Sequence, residues 1–96
     1  MSEGNVLIVD DDRAMCEMID TSLSLRGYST RWCQSVGAAL DRLREEECDV
    51  VLTDVRMPGT SGLELCQQVH SLRPDVSVVV MTAFGSMETA VAAMRS

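Results

Sequence analysis

The sequence predicts an α/β domain built on a parallel sheet, and three observations carry that prediction. Short, unbroken apolar runs at "NVLIV" (5–9), "DVVLTD" (49–54) and "VSVVVMT" (76–82) suit strands buried on both faces. Between them, apolar residues recur at helical spacing. Gly, Pro and Asp stand at the joins, where the chain must turn.

The elements follow in order. After "NVLIV", Met15, Met18, Ile19 and Leu23 form a helical stripe that Gly27 stops. "YSTRWC" (28–33) alternates like a more polar strand. Ala39, Leu40 and Leu43 mark a second helix, followed by the acidic run Glu45–Glu47. Acids are disfavoured at a helix C-terminus, so that end should leave the helix. Past "DVVLTD", Leu63, Cys66, Val69 and Leu72 form a third stripe, which "RPD" (73–75) ends. "VSVVVMT" is the fourth strand, and "SMETAVAAMR" (86–95) opens a fourth helix with Ser86 and Glu88 in its first turn.

Strands alternating with helices require right-handed crossovers and a parallel sheet. The three most apolar strands belong inside and the polar second strand at an edge. This is the flavodoxin-like order 2-1-3-4, whose ligand crevice lies outside the carboxyl ends of strands 1 and 3. Residues 1–96 are read as one domain.

The chain has 96 residues and a net charge of −7, which argues against a broad nucleic-acid-binding surface and suits cations or basic partners. No apolar run is long enough to span a bilayer, and the start lacks the features of a signal peptide, so a cytoplasmic location is expected. The four cysteines are unevenly spaced without C-x-x-C, which indicates neither a disulfide framework nor a zinc site. Cys66 and His70, four apart, could chelate a metal; a partly buried helix face is the better reading.

Asp10, Asp11 and Asp12 follow strand 1, and Asp54 ends strand 3. Adjacent strands lie about 4.8 Å apart, so at least two of these carboxylates share one pocket. They repel unless a cation sits between them, and oxygen-only ligands suit Mg2+ (or Mn2+). The loop after Asp54 can add a backbone carbonyl, most simply that of Arg56. Asp12 is better read as the N-cap of the helix starting near Arg13. Thr82, at the end of strand 4, either turns its hydroxyl into the same crevice or is simply a β-branched strand residue. A carboxylate, a cation site and a hydroxyl donor together suit phosphoryl transfer through an acyl phosphate.

"VLIVDDD", "VVLTDVRMPGTSGLEL" and "VVVMTAFGS" together resemble the receiver domain of bacterial two-component response regulators, over essentially the whole chain. The resemblance implies that Asp54 accepts a phosphoryl group from a sensor histidine kinase. It implies that Asp11 binds Mg2+ directly and Asp10 mainly through water, with Arg56 lending its carbonyl. Thr82 would be the switch hydroxyl, and Ala83 would leave room beside the phosphate. Pro58, Gly59 and Gly62 would shape the loop. The domain would be a regulatory phosphoacceptor rather than an enzyme with an external substrate. "RMPGTSG" and "MTAFGSMETAVAAMR" look most like receivers of sigma-54-dependent transcription activators. Ser61 stands where many relatives carry Asp.

Such receivers continue into a fifth strand, ending in a Lys that contacts the phosphoryl group, and a fifth helix. Both are missing here, and all eight basic residues are Arg. A C-terminally truncated receiver is therefore expected, with strand 4 as an apolar edge open to association. The expected partners are the kinase and a second copy, joined by edge pairing or exchange of elements, with no nucleic acid or membrane bound directly. The alternative function is a metal-binding self-association module with impaired phosphorylation. A phosphatase using an Asp nucleophile would need a second acid two residues on, and position 56 is Arg.

Overall fold

The computed structural model describes residues 3–54, 56–57 and 60–81. Its elements are β1 (Asn5–Val9), α1 (Arg13–Leu25), β2 (Ser29–Cys33), α2 (Val36–Glu45), β3 (Val50–Asp54), β4 (Arg56–Met57), β5 (Thr60–Ser61), α3 (Gly62–Leu72) and β6 (Ser77–Met81). β2, β1, β3 and β6 form one parallel sheet in that order, which is the 2-1-3-4 arrangement read from the sequence. The helix read over 86–95, Thr82 and Ala83 lie outside the described residues. β4 and β5 make a two-residue antiparallel pair, Arg56 opposite Ser61 and Met57 opposite Thr60, that periodicity did not reveal. No helix among the described residues is long and apolar enough to cross a membrane.

The unbroken apolar strands are explained by the two layers they serve. Successive side chains of a strand point to opposite faces. Val6 and Ile8 of β1, with Leu52 of β3, therefore pack against Cys16, Ile19 and Leu23 of α1. Leu7, Val9 and Val51 pack on the other face against Ala39 and Leu43 of α2 and Leu65 and Val69 of α3. Among the described residues β2 has one neighbour, and Ser29 and Arg31 on it are exposed; β6, expected inside from its apolar run, also has one neighbour there, and its residues 78–81 are half-buried.

Two helical stripes differ in detail from their sequence reading. In α1 the buried set is Cys16, Ile19 and Leu23, while Met18 is 54% exposed. The thiol acts as a small apolar group at the position that faces the sheet, and Met18 is turned away from it. In α3, Leu65 and Val69 are buried, and Cys66 and Leu72 are half-buried. Leu65 and Val69, four apart, carry the core face.

The helix ends follow their local chemistry. Asp12 caps α1, its carboxylate accepting from Ala14 N (3.0 Å) and Met15 N (3.3 Å). After α1, Gly27 adopts a left-handed φ of +96° while its N–H donates to Ser24 O at 3.1 Å. Ser35 caps α2 through Ala38 N (3.2 Å). Glu46 leaves that helix in extended conformation, as its acidic end implied. Its carboxylate lies 2.7 Å from Arg31 and 3.3 Å from Arg42.

Arg73 joins the layer of α2 and α3. Its guanidinium donates to Leu43 O near the end of α2 (2.9 Å) and forks onto Asp75 at 3.0 and 2.8 Å. That hydrogen bond holds the Asp75 carboxyl below its ordinary range. A carboxyl so lowered stabilises the fold above its ordinary pKa of 3.8, and the contribution is lost as pH falls through the folded value.

Two outcomes follow from these contacts. Gly27→Ala should destabilise the domain by about 1–2 kcal/mol in urea unfolding, because a side chain is strained at that φ and its Cβ would sit 3.2 Å from Glu3 Cγ. Asp75→Asn should lower the urea midpoint at neutral pH, and the gap between variant and parent should close in acid. A gap that widened in acid would contradict the ion pair.

Candidate functional site

The register of the sheet assembles the acids. Val9 of β1 lies opposite Thr53 of β3, so the residues that follow stand side by side, Asp10 just past the end of β1 and Asp54 as the last residue of β3. One carboxylate oxygen from each of Asp10, Asp11 and Asp54 lies within 4.8 Å of the others. Asp10 is buried at 3% exposure, Asp54 is half-buried and Asp11 is exposed. Among the described residues this is the group of three or more potential metal-ligating side chains that comes together. Cys66 and His70 stay outside it on α3, where His70 is exposed.

The loop backbone shapes the cluster. Asp12 N donates to Asp10 Oδ1 at 2.9 Å, and Cys16 N donates to Asp12 O at 3.0 Å. The Cys16 thiol donates to Asp10 O at 3.3 Å, closing a ring between the loop and the first turn of α1. Asp10 N donates to Cys33 O (3.2 Å), which ties the loop to the end of β2. Gln34 Nε2 donates to Asp11 O (3.0 Å) from the far side. In β3, the fully buried Thr53 donates its hydroxyl to Asp54 O (3.1 Å).

Burial pushes the Asp10 carboxyl up, and the neighbouring Asp54 and Asp11 carboxylates add to this; the Asp12 N–H partly offsets it. A buried acid facing two further acids favours whatever brings positive charge, a proton or a cation. The donors are all hard oxygens, two from the loop after β1, one buried and one exposed, and one from a strand end, which fits Mg2+ or Mn2+ better than a thiolate-seeking metal. Desolvation, with the Asp10 charge beside it, pushes the Cys16 thiol up to about 11. It therefore remains a protonated donor at neutral pH.

Of the residues singled out from sequence, the structure brings Asp10, Asp11 and Asp54 together and assigns Asp12 to capping. Arg56 opens β4, two residues beyond Asp54. Met81 pairs with Asp54 across β3 and β6, and Thr82 and Ala83 fall outside the described residues. Cys16 and Gln34 were missed. Their partners are backbone carbonyls brought near by the fold, for which a sequence carries no marker.

A family model described as "Response regulator receiver domain" matches residues 6–96. The response regulator MprA of Mycolicibacterium vanbaalenii is 42% identical over 89 residues, covering 93% of this chain and 38% of that protein. The transcriptional regulatory protein ZraR of Escherichia coli is 37% identical over 92 residues, covering 96% of this chain and 21% of its own length. The chain thus spans well under half the length of these curated relatives. The crystal structure of the response regulator protein TrrA from Thermotoga maritima, in complex with Mg(2+)-BeF, superposes with a TM-score of 0.79 at 28% identity. It covers 88% of this chain and 72% of that one.

The cluster makes two linked predictions for thermal unfolding. Mg2+ should raise the midpoint of the parent, by about 2.7 kcal/mol of stability at a hundredfold excess over Kd. Asp10→Asn should be more stable than the parent without metal, since a buried like charge is removed, and should gain less from Mg2+. Equal gains in both chains would exclude Asp10 from the cation site.

Proposed function

The chain belongs to the response regulator receiver domain family, and from that premise we propose that Asp54 is its phosphoacceptor. In this reading a carboxylate oxygen of Asp54 attacks the phosphorus of a kinase phosphohistidine. The P–N bond breaks, its electron pair returns to the imidazole nitrogen, which takes up a proton, and an aspartyl phosphate forms. Asp10, Asp11 and Asp54, with the Arg56 carbonyl, would hold Mg2+ or Mn2+. Held there, the cation would supply charge neutralisation for the transferring oxygens. Thr82 would move its hydroxyl toward the new phosphoryl group, and Ala83 would leave space for it.

The observation that carries this reading is the placing of the Asp54 carboxylate at the carboxyl end of β3, within 4.8 Å of Asp10 and Asp11 oxygens. The similar TrrA structure, which holds Mg(2+)-BeF, supports the choice of cation. Family membership favours this reading over a metal-binding module without phosphoryl chemistry.

The partners proposed on the same ground are a sensor histidine kinase in the cytoplasm and a second copy of the chain. β6 is an edge strand among the described residues and is rich in Val, which suits pairing of edges or exchange of elements between two copies. The domain would act as a receiver, a switch for transcription regulation with only self-directed phosphoryl chemistry.

Intact-mass measurement with a small acyl-phosphate donor tests the acceptor. The parent should gain one phosphoryl group with Mg2+ and none with a chelator, and Asp54→Asn should gain none. Equal uptake by Asp54→Asn would move the acceptor elsewhere; a parent that binds Mg2+ and gains nothing would overturn the phosphoacceptor reading.

A further inference from the structure

The two peptide planes flanking the Asp11 Cα are each held by a side chain from another part of the fold. The first plane, between Asp10 and Asp11, has its carbonyl on the Cys16 thiol at 3.3 Å. The second, between Asp11 and Asp12, has its carbonyl on Gln34 Nε2 at 3.0 Å. The N–H of that same second plane is the group that donates to Asp10 Oδ1 at 2.9 Å. A peptide is planar, so fixing the direction of its C=O fixes the aim of its N–H. Gln34 therefore acts on the Asp10 carboxylate through one rigid plane. Cys16 and Gln34 together set the direction in which Asp11 leaves the backbone, because its Cα joins the two planes.

We propose that Cys16 and Gln34 are positioning residues that set the cation affinity of the acidic site. The proposal rests on the reading that Asp10, Asp11 and Asp54 hold a divalent cation. Neither residue belongs to the group of carboxylates. Cys16 is fully buried under the loop in the first turns of α1, and Gln34 is exposed just past β2, so the two act from different elements. Asp10 N on Cys33 O adds a third restraint. With these bonds in place the carboxylates are held close before a cation arrives, and their repulsion is not relieved by loop movement. Without them the loop swings Asp11 away, and the cation must bring it back.

Calorimetric titration with Mg2+ reads the effect directly, alongside the Mg2+ dependence of phosphoryl uptake. Gln34→Ala and Cys16→Ala should each weaken the Mg2+ Kd roughly fivefold, the worth of one ordinary hydrogen bond. Half-saturation for uptake should rise by the same factor while the rate at saturating Mg2+ stays that of the parent. Cys16→Ser, which keeps a donor, should lie closer to the parent than Cys16→Ala. Gln34 is exposed, so Gln34→Ala decides the matter even if Cys16→Ala does not fold. Unchanged Kd in Gln34→Ala, or a lower saturating rate at unchanged Kd, overturns the proposal. A parent that binds no Mg2+ overturns the cation reading itself, and the proposal with it.

Discussion

Parallel pairing of β1 with β3 forces carboxylates together, and the site depends on that constraint. Val9 opposite Thr53 leaves Asp10 and Asp54 no separate places to go once the strands end. A one-residue register shift would separate them, but it would also carry each apolar side chain of the shifted strand to the opposite helical layer. Ile8, Val9, Val51 and Leu52 are fully buried between two helical layers, so the sheet resists such a slip. The core thus holds in place a cluster of like charges that would disperse if it were free.

The three acids are not equivalent. Asp10 is buried, tied to the loop backbone and pushed toward its protonated form, whereas Asp11 is open to solvent. A hydrated cation at this site would meet one restrained, desolvated acid and one open to solvent. Asp12 keeps the same run from scattering, because its carboxylate is engaged at the N-terminus of α1 and its N–H at Asp10. Consecutive residues of one acidic triplet thereby serve as buried member, exposed member and cap.

Much of this was legible in the sequence, for physical reasons. Strands covered on both faces must be apolar throughout, so "NVLIV" and "DVVLTD" announced central positions, while Ser29 and Arg31 marked β2 as an edge. The acids stood out because they end such strands. Less legible was which residue of a helix faces inward: Cys16 and Leu65 carry core contacts, while the Met18 of the expected stripe is largely exposed. Cysteine gives an ambiguous signal, and a stripe of seven-residue span can be rotated by one position without losing its period. The β4–β5 pair is too short for any periodicity, and the Cys16 and Gln34 contacts go to backbone carbonyls, which every residue has.

The central claim is that one cation is shared by the ends of β1 and β3. Mn2+ added to isotope-labelled protein reports this by paramagnetic broadening of amide resonances. The account predicts that broadening begins at substoichiometric Mn2+ and centres on Asp10, Asp11, Asp12 and Asp54. Gly4 and Asp49, at the opposite end of the sheet, should remain sharp. Broadening centred instead on Glu45–Glu47, or spread evenly over the acidic surface, would contradict it.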